Sequence, residues 1–360
     1  MSRIPKLSRR VRWAVPGGAL VVTGGLMAAA LMPSAQAAPV LPARTAAQLI
    51  ADVAAQPHPL AFSGTVTETA SLGLPQLPTT QSATSPLSLL TGSHTVQVWF
   101  ANPHQYRLAL PGSMSETDVY RDGSVAWLWQ SVPDTVTKFV SANADTNLRA
   151  PAEMSLTPQQ AASDVLAAVG PTTTVSVDSS AYVAGQAAYE LVLAPKDARS
   201  LIGQVRIAVD AANSTPLRVE VYAKNATSPA ISIGFTSITF AAPSAGDLTF
   251  TPPSGAKVTT VNLTKDSTGA PGSGGGDVGV AGSDWLTVLK LPASALTGDS
   301  GTGETQAAIQ ALLGSATTVH GTWGSGQLIR TSLVSVLITS GTMYVGAVDP
   351  SVLYAAAAQH

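Results

Sequence analysis

Five histidines are present, His58, His94, His104, His320 and His360, and no two stand at a spacing suited to metal ligation on one helix or strand. Each reads as a surface or loop residue. Cysteine is absent, which removes thiolate ligands, thiol nucleophiles and disulfides together. No Gly-x-Ser-x-Gly is found, so a nucleophile elbow is excluded. The glycines of Gly321-Thr-Trp-Gly324-Ser-Gly326 lack the strand–turn–helix setting and the Lys-Ser/Thr of a phosphate loop. Asp118 and Asp122 lie near one another, and the turn Asp122-Gly123 is reason enough for the second. No pair of carboxylates stands out for acid–base work. The chain is therefore expected to be no enzyme and to hold no cofactor and no metal. What remains is the chemistry of apolar side chains at period two, which is binding chemistry.

Gln204–Val258 shows that period most clearly. Val205, Ile207 and Val209 alternate with Arg206, Ala208 and Asp210, and Leu217, Val219 and Val221 alternate with Arg218, Glu220 and Tyr222. Such alternation predicts a sheet with one apolar and one wet face. Asp210–Pro216 and Lys224–Pro229 are made of turn formers, so four consecutive antiparallel strands are expected here. Ile231, Ile233 and Phe235 share one parity, whereas Ile238 and Phe240 take the other. A bulge near Thr236-Ser237 would restore the register and bend the sheet. The apolar face then needs a cover, either helices or a ligand.

Upstream, Phe62–Leu72 reads as a strand with Thr65, Thr67 and Thr69 on one side. The next, His94–Phe100, puts Val96, Val98 and Phe100 on one face. Asn102-Pro103 turns the chain into Gln105–Leu110. Glu116–Tyr120 and Val125–Gln130 form a hairpin about Asp122-Gly123, with Val125, Trp127 and Trp129 on one face. The two tryptophans are either core filler or part of a cavity wall. Further strands are expected at Val132–Val140, Thr172–Asp178 and Ala187–Leu193. Thr45-Ala-Ala-Gln48 is a capping box, starting a helix with Ala46, Leu49, Ile50 and Val53 on one side. Thr157-Pro158-Gln159-Gln160 starts another, with Ala162, Val165, Leu166 and Val169 as its stripe. Gly73–Ser93 reads as a long loop carrying Leu87, Leu89 and Leu90, either a lid or a piece of strand.

Charged residues make up 11% of the 360, and glycine and proline number 31 and 25, which favours many turns and short strands over long helices. Arg3, Lys6, Arg9, Arg10 and Arg12 precede an uncharged run, Trp13–Met32, and Ala35-Gln36-Ala37 fits a small-x-small cleavage site. Residues 1–37 are thus expected to be a signal peptide, or else an uncleaved signal anchor, and the protein to be exported. Removing them leaves 14 of the 19 Lys and Arg against 21 Asp and Glu, a charge near −7. No basic stripe for nucleic acid is present.

After Leu263 the composition shifts. Residues 264–282 hold Gly269, Gly272, Gly274, Gly275 and Gly276 and read as a linker. Beyond it, a strand over Trp285–Leu291, a helix over Glu304–Leu313, a hairpin of Leu328–Ile338 with Thr342–Val348, and a last helix after Asp349-Pro350 form a small α+β unit, 283–360.

Several of these segments, in order, resemble the LolA-type lipoprotein carriers. Leu248-Thr-Phe-Thr-Pro-Pro-Ser-Gly255 is similar to their closing motif, and Val98-Trp-Phe-Ala-Asn-Pro103 to their strand and proline turn. Asp122-Gly123 with Trp127 resembles their central hairpin, and Ile207–Pro216 a later strand and turn. The likeness covers roughly Thr45–Leu263. It implies an α+β, mainly β fold: a half-open, curved antiparallel β-barrel over 38–263, with helices closing a cavity for the acyl chains of a lipid or an acylated lipoprotein. Val98, Phe100, Trp127, Trp129, Val219, Val221, Ile231 and Ile233 are the expected wall, although sequence does not say which parity faces inward. Asn102, a lid or turn residue, stands where the carriers have an arginine tied to lid control, so that role does not carry over. Ser283-Asp284-Trp285 and Val345-Gly-Ala-Val-Asp-Pro350 resemble the small domain of the RseB/MucB regulators. That second likeness implies an envelope-stress regulator with an anti-sigma factor or other membrane protein as partner.

Overall fold

In a computed structural model of the chain, the described residues are 38–55, 60–73, 91–112, 114–141, 157–167, 170–263, 279–296, 310 and 313–359. The expected signal segment 1–37, Leu87, Leu89 and Leu90, Val169, most of the linker and most of the Glu304–Leu313 helix lie outside them. Among the described residues, no helix is long and apolar enough to cross a membrane.

Residues 39–360 form one compact unit. Its larger sheet runs β12-β6-β5-β4-β3-β2-β1-β11-β10-β9-β8-β7. The strands are β1 Phe62–Ser71, β2 Thr91–Asn102, β3 Gln105–Pro111, β4 Glu116–Asp122, β5 Val125–Gln130, β6 Thr135–Ser141, β7 Thr173–Val183, β8 Gln186–Pro195, β9 Ile202–Asp210, β10 Pro216–Ala223, β11 Ile231–Thr239 and β12 Lys257–Leu263. All neighbours are antiparallel except β12 and β6. The sheet is curved and open, with β12 and β7 as its edges, the mainly-β half-barrel that the resemblance implied.

Two helices lie against one face. Thr45 caps α1, Ala46–Ala54, through a complete capping box with Gln48. Gln160 N–H donates to Thr157 Oγ1 at 3.2 Å at the start of α2, Pro158–Ala167. Ala46, Ile50 and Val53 of α1, and Ala161, Ala162, Val165 and Leu166 of α2, pack on Leu191, Leu193, Val205, Ile207 and Val219. This is the apolar parity of the meander, as its alternation requires.

The bulge expected near Thr236-Ser237 is present. Thr65 pairs with Ser237 and Val66 with Phe235, leaving Thr236 as the extra residue. The resulting close approach needs a glycine: a Cβ on Gly64 would stand 2.4 Å from the Ser237 carbonyl oxygen. One expectation is corrected. Gln204–Val258 holds three strands of the meander rather than four, β9, β10 and β11, because β11 pairs next with β1. The chain after β11 instead forms a short helix, α3, Ala245–Leu248, and then β12, which leaves for the far edge beside β6.

The second sheet runs β13-β14-β18-β17-β16-β15. Its strands are β13 Gly279–Ala281, β14 Val288–Pro292, β15 Thr317–Gly321, β16 Gly324–Arg330, β17 Ser335–Ile338 and β18 Thr342–Gly346. It therefore starts inside the stretch that reads as linker, and Asp284–Leu286 is a single 3-10 turn rather than the start of a strand. Helix α4, Pro350–Ala357, is capped by Asp349 and packs Leu353, Ala356 and Ala357 against Val288, Leu328, Leu337 and Tyr344. The opposite face carries Val280 and Leu289, 64% and 40% exposed, in a cross-strand row with Val345 and Val336.

Backbone bonds tie the two sheets together. Leu201 N–H donates to Ala347 O at 2.9 Å, Asp349 N–H to Arg199 O at 2.7 Å, and Ser332 N–H to Leu72 O at 2.9 Å. Leu72, Ala223, Ala230 and Leu333 form a shared apolar cluster. Trp285 packs on the larger sheet's core and its indole N–H donates to Thr173 Oγ1 at 2.8 Å.

Candidate ligand-binding face

Cross-strand pairs assign each side chain to a face, because one parity per strand points each way. From Val98 the line runs to Leu108, to Val119 and to Leu128. Along the next row Phe62 pairs with Phe100, which pairs with Tyr106. On the other side of β1, Ile233 pairs with Val219, which pairs with Ile207, and Ile231 with Val221, which pairs with Val205. All lie on the face that α1 and α2 meet, here called the inner face. Phe62 fastens its middle, stacked on Phe100 at 5.5 Å and edge-on to Phe235 at 5.4 Å.

Six of the eight expected wall residues are thereby brought to one face: Val98, Phe100, Val219, Val221, Ile231 and Ile233. Val98, Val219 and Ile233 are buried, whereas Phe100, Val221 and Ile231 are only half-buried. Trp127 and Trp129 do not join them. Leu128 takes the inner parity, so its two neighbours must point outward. There they belong to an aromatic and cationic array. The Arg107 guanidinium lies 4.5 Å from the Trp99 ring and 5.0 Å from the Tyr120 ring, and Phe250 packs on both Tyr120 and Trp127. Lys138 lies over Trp127 at 4.9 Å, and Trp129 donates to Asp134 Oδ1 at 3.3 Å. Burial pushes the Tyr120 hydroxyl up to about 12, against the pull of Arg107. Arg107 donates from Nε and from a terminal nitrogen to Asp118 Oδ2, at 3.1 and 2.7 Å, and so pairs that fully buried carboxylate.

The outer face continues as charge. Glu190, buried, accepts from Arg206 at 3.0 Å and from Arg218 at 2.7 Å, and Arg206 also meets Asp178 at 3.1 Å. Apolar inside and ionic outside is thus the rule across the meander half of the sheet.

Asn102 is an exposed turn residue. Its side-chain oxygen accepts from His104 N–H at 2.9 Å, which closes the two-residue turn between β2 and β3. His104 is in that turn and His320 is exposed on β15, whereas His94 lies in a strand, as its place in His94–Phe100 implied, and is half-buried.

The inner face also holds ionisable groups that the apolar pattern did not bring forward. Glu68 stands between His94 and Ile233 and is 9% exposed. Burial raises its pKa, and His94 pulls the other way. Tyr106 and Arg121 pair across β3 and β4. Burial raises the Tyr106 pKa, and Arg121 lowers it in part. The signal for Glu68 is its parity: it occupies an apolar position between Val66 and Ala70.

Two clefts lie elsewhere. One of about 290 Å³ is lined by Thr172, Arg199, Asp284, Trp285 and Val352, at the junction of the two sheets. The other, of about 470 Å³, is lined by Lys196, Gln204, Tyr222 and Lys224. Asp197 borders both, and its bonds from Arg199 hold its carboxyl down to about 2. Among the described residues, no group of three or more His, Asp or Glu side chains is placed to hold a metal ion.

No protein-family model matches the chain, and no curated protein matches it by sequence. Among solved structures, it is similar to MucB as seen in the Pseudomonas aeruginosa MucA/MucB complex, at 16% identity and a TM-score of 0.41, over 87% of this chain and 95% of that one. It is also similar to a conserved protein from Thermus thermophilus, at 11% identity and a TM-score of 0.33, over 60% and 99%. A LolA superfamily protein from Nitrosomonas europaea follows, at 12% identity and a TM-score of 0.24, over 58% and 99%. At these scores the likeness carries no conclusion about function. The architecture stands on its own strand order and register.

Proposed function

We propose that this is an exported, non-enzymatic binding protein that holds the acyl chain of a lipid or of an acylated lipoprotein against the inner face of the larger sheet. One observation carries the reading. The inner face is mostly apolar from β8 to β5, with Glu68, His94, Tyr106 and Arg121 as its ionisable exceptions, and α1 and α2 pack on Leu191, Leu193, Val205, Ile207 and Val219 of β8, β9 and β10. Across β2, β3 and β5, Val96, Phe100, Tyr106 and Leu128 are partly buried side chains around the core cluster. A bound chain would complete their burial. Each buried CH₂ contributes about 0.8 kcal/mol, so a sixteen-carbon chain gains roughly 12 kcal/mol before the costs of ordering and opening. Photo-crosslinking with a diazirine-bearing palmitoyl probe tests the reading, with adducts expected on inner-facing residues of β1, β2 and β11.

A regulatory reading has a separate observation behind it. The exposed Val280–Leu289 pair, in a row with Val345 and Val336, offers the second sheet an apolar contact surface. On this reading the unit 283–360 meets a membrane protein partner, and Leu289→Asp would abolish its capture in a pull-down while acyl-probe binding stays unchanged. Capture undiminished in that variant would remove the second sheet's face from consideration.

A further inference from the structure

Glu68 is an unusual residue for its place. It shares the parity of Phe62 and Val66, with His94 across one ladder and Ile233 across the other. Packing alone would favour an aliphatic side chain there, because taking a carboxyl out of water is costly without compensation. His94 supplies a polar neighbour. Together a carboxyl and an imidazole offer both donors and acceptors. Among the described residues, other ionisable groups of this face lie apart. Arg121 and Tyr106 belong to the Phe62–Phe100 end, and Phe62 is about 20 Å along β1 from Glu68. The Tyr189 hydroxyl donates to Pro42 O at 2.9 Å. Arg44, just before α1, pairs with Asp52, and on α2 Asp164 accepts from Gln160 at 2.8 Å.

We propose that Glu68 and His94 form the polar seat for the head of the bound amphiphile, and that this head is uncharged and carries hydroxyl or amide donors. The chain would then run along β1 and β2, past Val66, Val96 and Val98, toward Phe62 and Phe100. The inference rests on the inner face being an acyl-chain site. Its chemical content is selectivity. A carboxylate head would set a second anion beside Glu68 where little water screens the two, whereas a glycerol ester or an amide would hydrogen-bond the pair.

Two probes with one chain separate the heads: 1-monopalmitoylglycerol and palmitate, each displacing Nile red from the full chain at pH 7.5. The wild type is expected to prefer the glycerol ester by about tenfold or more. In Glu68→Gln, which keeps shape and burial, palmitate should tighten by about tenfold while the glycerol ester moves less than about threefold. Equal affinities in the wild type, a preference for palmitate, or a preference unchanged in Glu68→Gln would each overturn the seat and leave acyl-chain binding standing. Binding of neither probe would overturn acyl-chain binding itself, and the seat with it.

Discussion

Glu68 ties stability to pH independently of any ligand. Its pKa is raised above the ordinary 4.5, chiefly by burial, so the folded chain holds the proton more tightly than the unfolded one. The stability it contributes is fully present below about pH 4.5 and is lost as pH rises through the raised value. Glu68→Gln does not titrate. The melting temperature of the variant minus that of the wild type should therefore climb with pH from 4.5 upward and then level off. A difference flat from pH 4 to 8 would contradict the burial assigned to this carboxyl. The tryptophans make the complementary point. Val125, Trp127 and Trp129 share a parity legible in the sequence, but which parity faces inward is decided by Leu128 pairing with Val119, four strands of register from the meander. No local pattern holds that information.

At the scale of elements, the bulge at Thr236 explains a glycine that the sequence alone does not single out. Gly64 has no unusual backbone conformation. It is small because the bulged strand brings the Ser237 carbonyl oxygen over it. Gly64→Ala should destabilise the fold by about 1–3 kcal/mol, the usual cost of forcing extra volume into a packed site. Urea unfolding checks this, and an unchanged midpoint would mean that the bulge relaxes freely. The bulge itself was legible, since the apolar parity changes between Phe235 and Ile238. Both helix starts were legible too, from Thr45 with Gln48 and from Thr157 with Pro158, because caps are local chemistry. The departure of β12 from the meander was not. Lys257–Leu263 is mostly exposed and pairs in parallel with β6, a partner more than a hundred residues upstream, and alternation says nothing of such a choice.

In the whole molecule, the two sheets belong to one compact unit, residues 39–360. Residues 264–282 read as a linker to the unit 283–360. The backbone of Arg199 and Leu201 is bonded to the chain just before α4, Trp285 reaches into the larger sheet's core, and Leu333 closes a cluster with Leu72, Ala223 and Ala230. The contact sits beside Val221 and Ile231, which also border that cluster. The second sheet thus buttresses one end of the inner face, while the Phe62–Phe100 end is left to the larger sheet's own side chains. Occupancy of that face is the central claim, and photo-crosslinking with the diazirine-bearing palmitoyl probe reads it most directly. The expected result is adducts on Val66, Val96, Val98, Phe100, Ile231 or Ile233, competed away by unlabelled monopalmitoylglycerol. The absence of adducts, or adducts confined to the outward Trp99, Tyr120, Trp127 and Trp129, would contradict it.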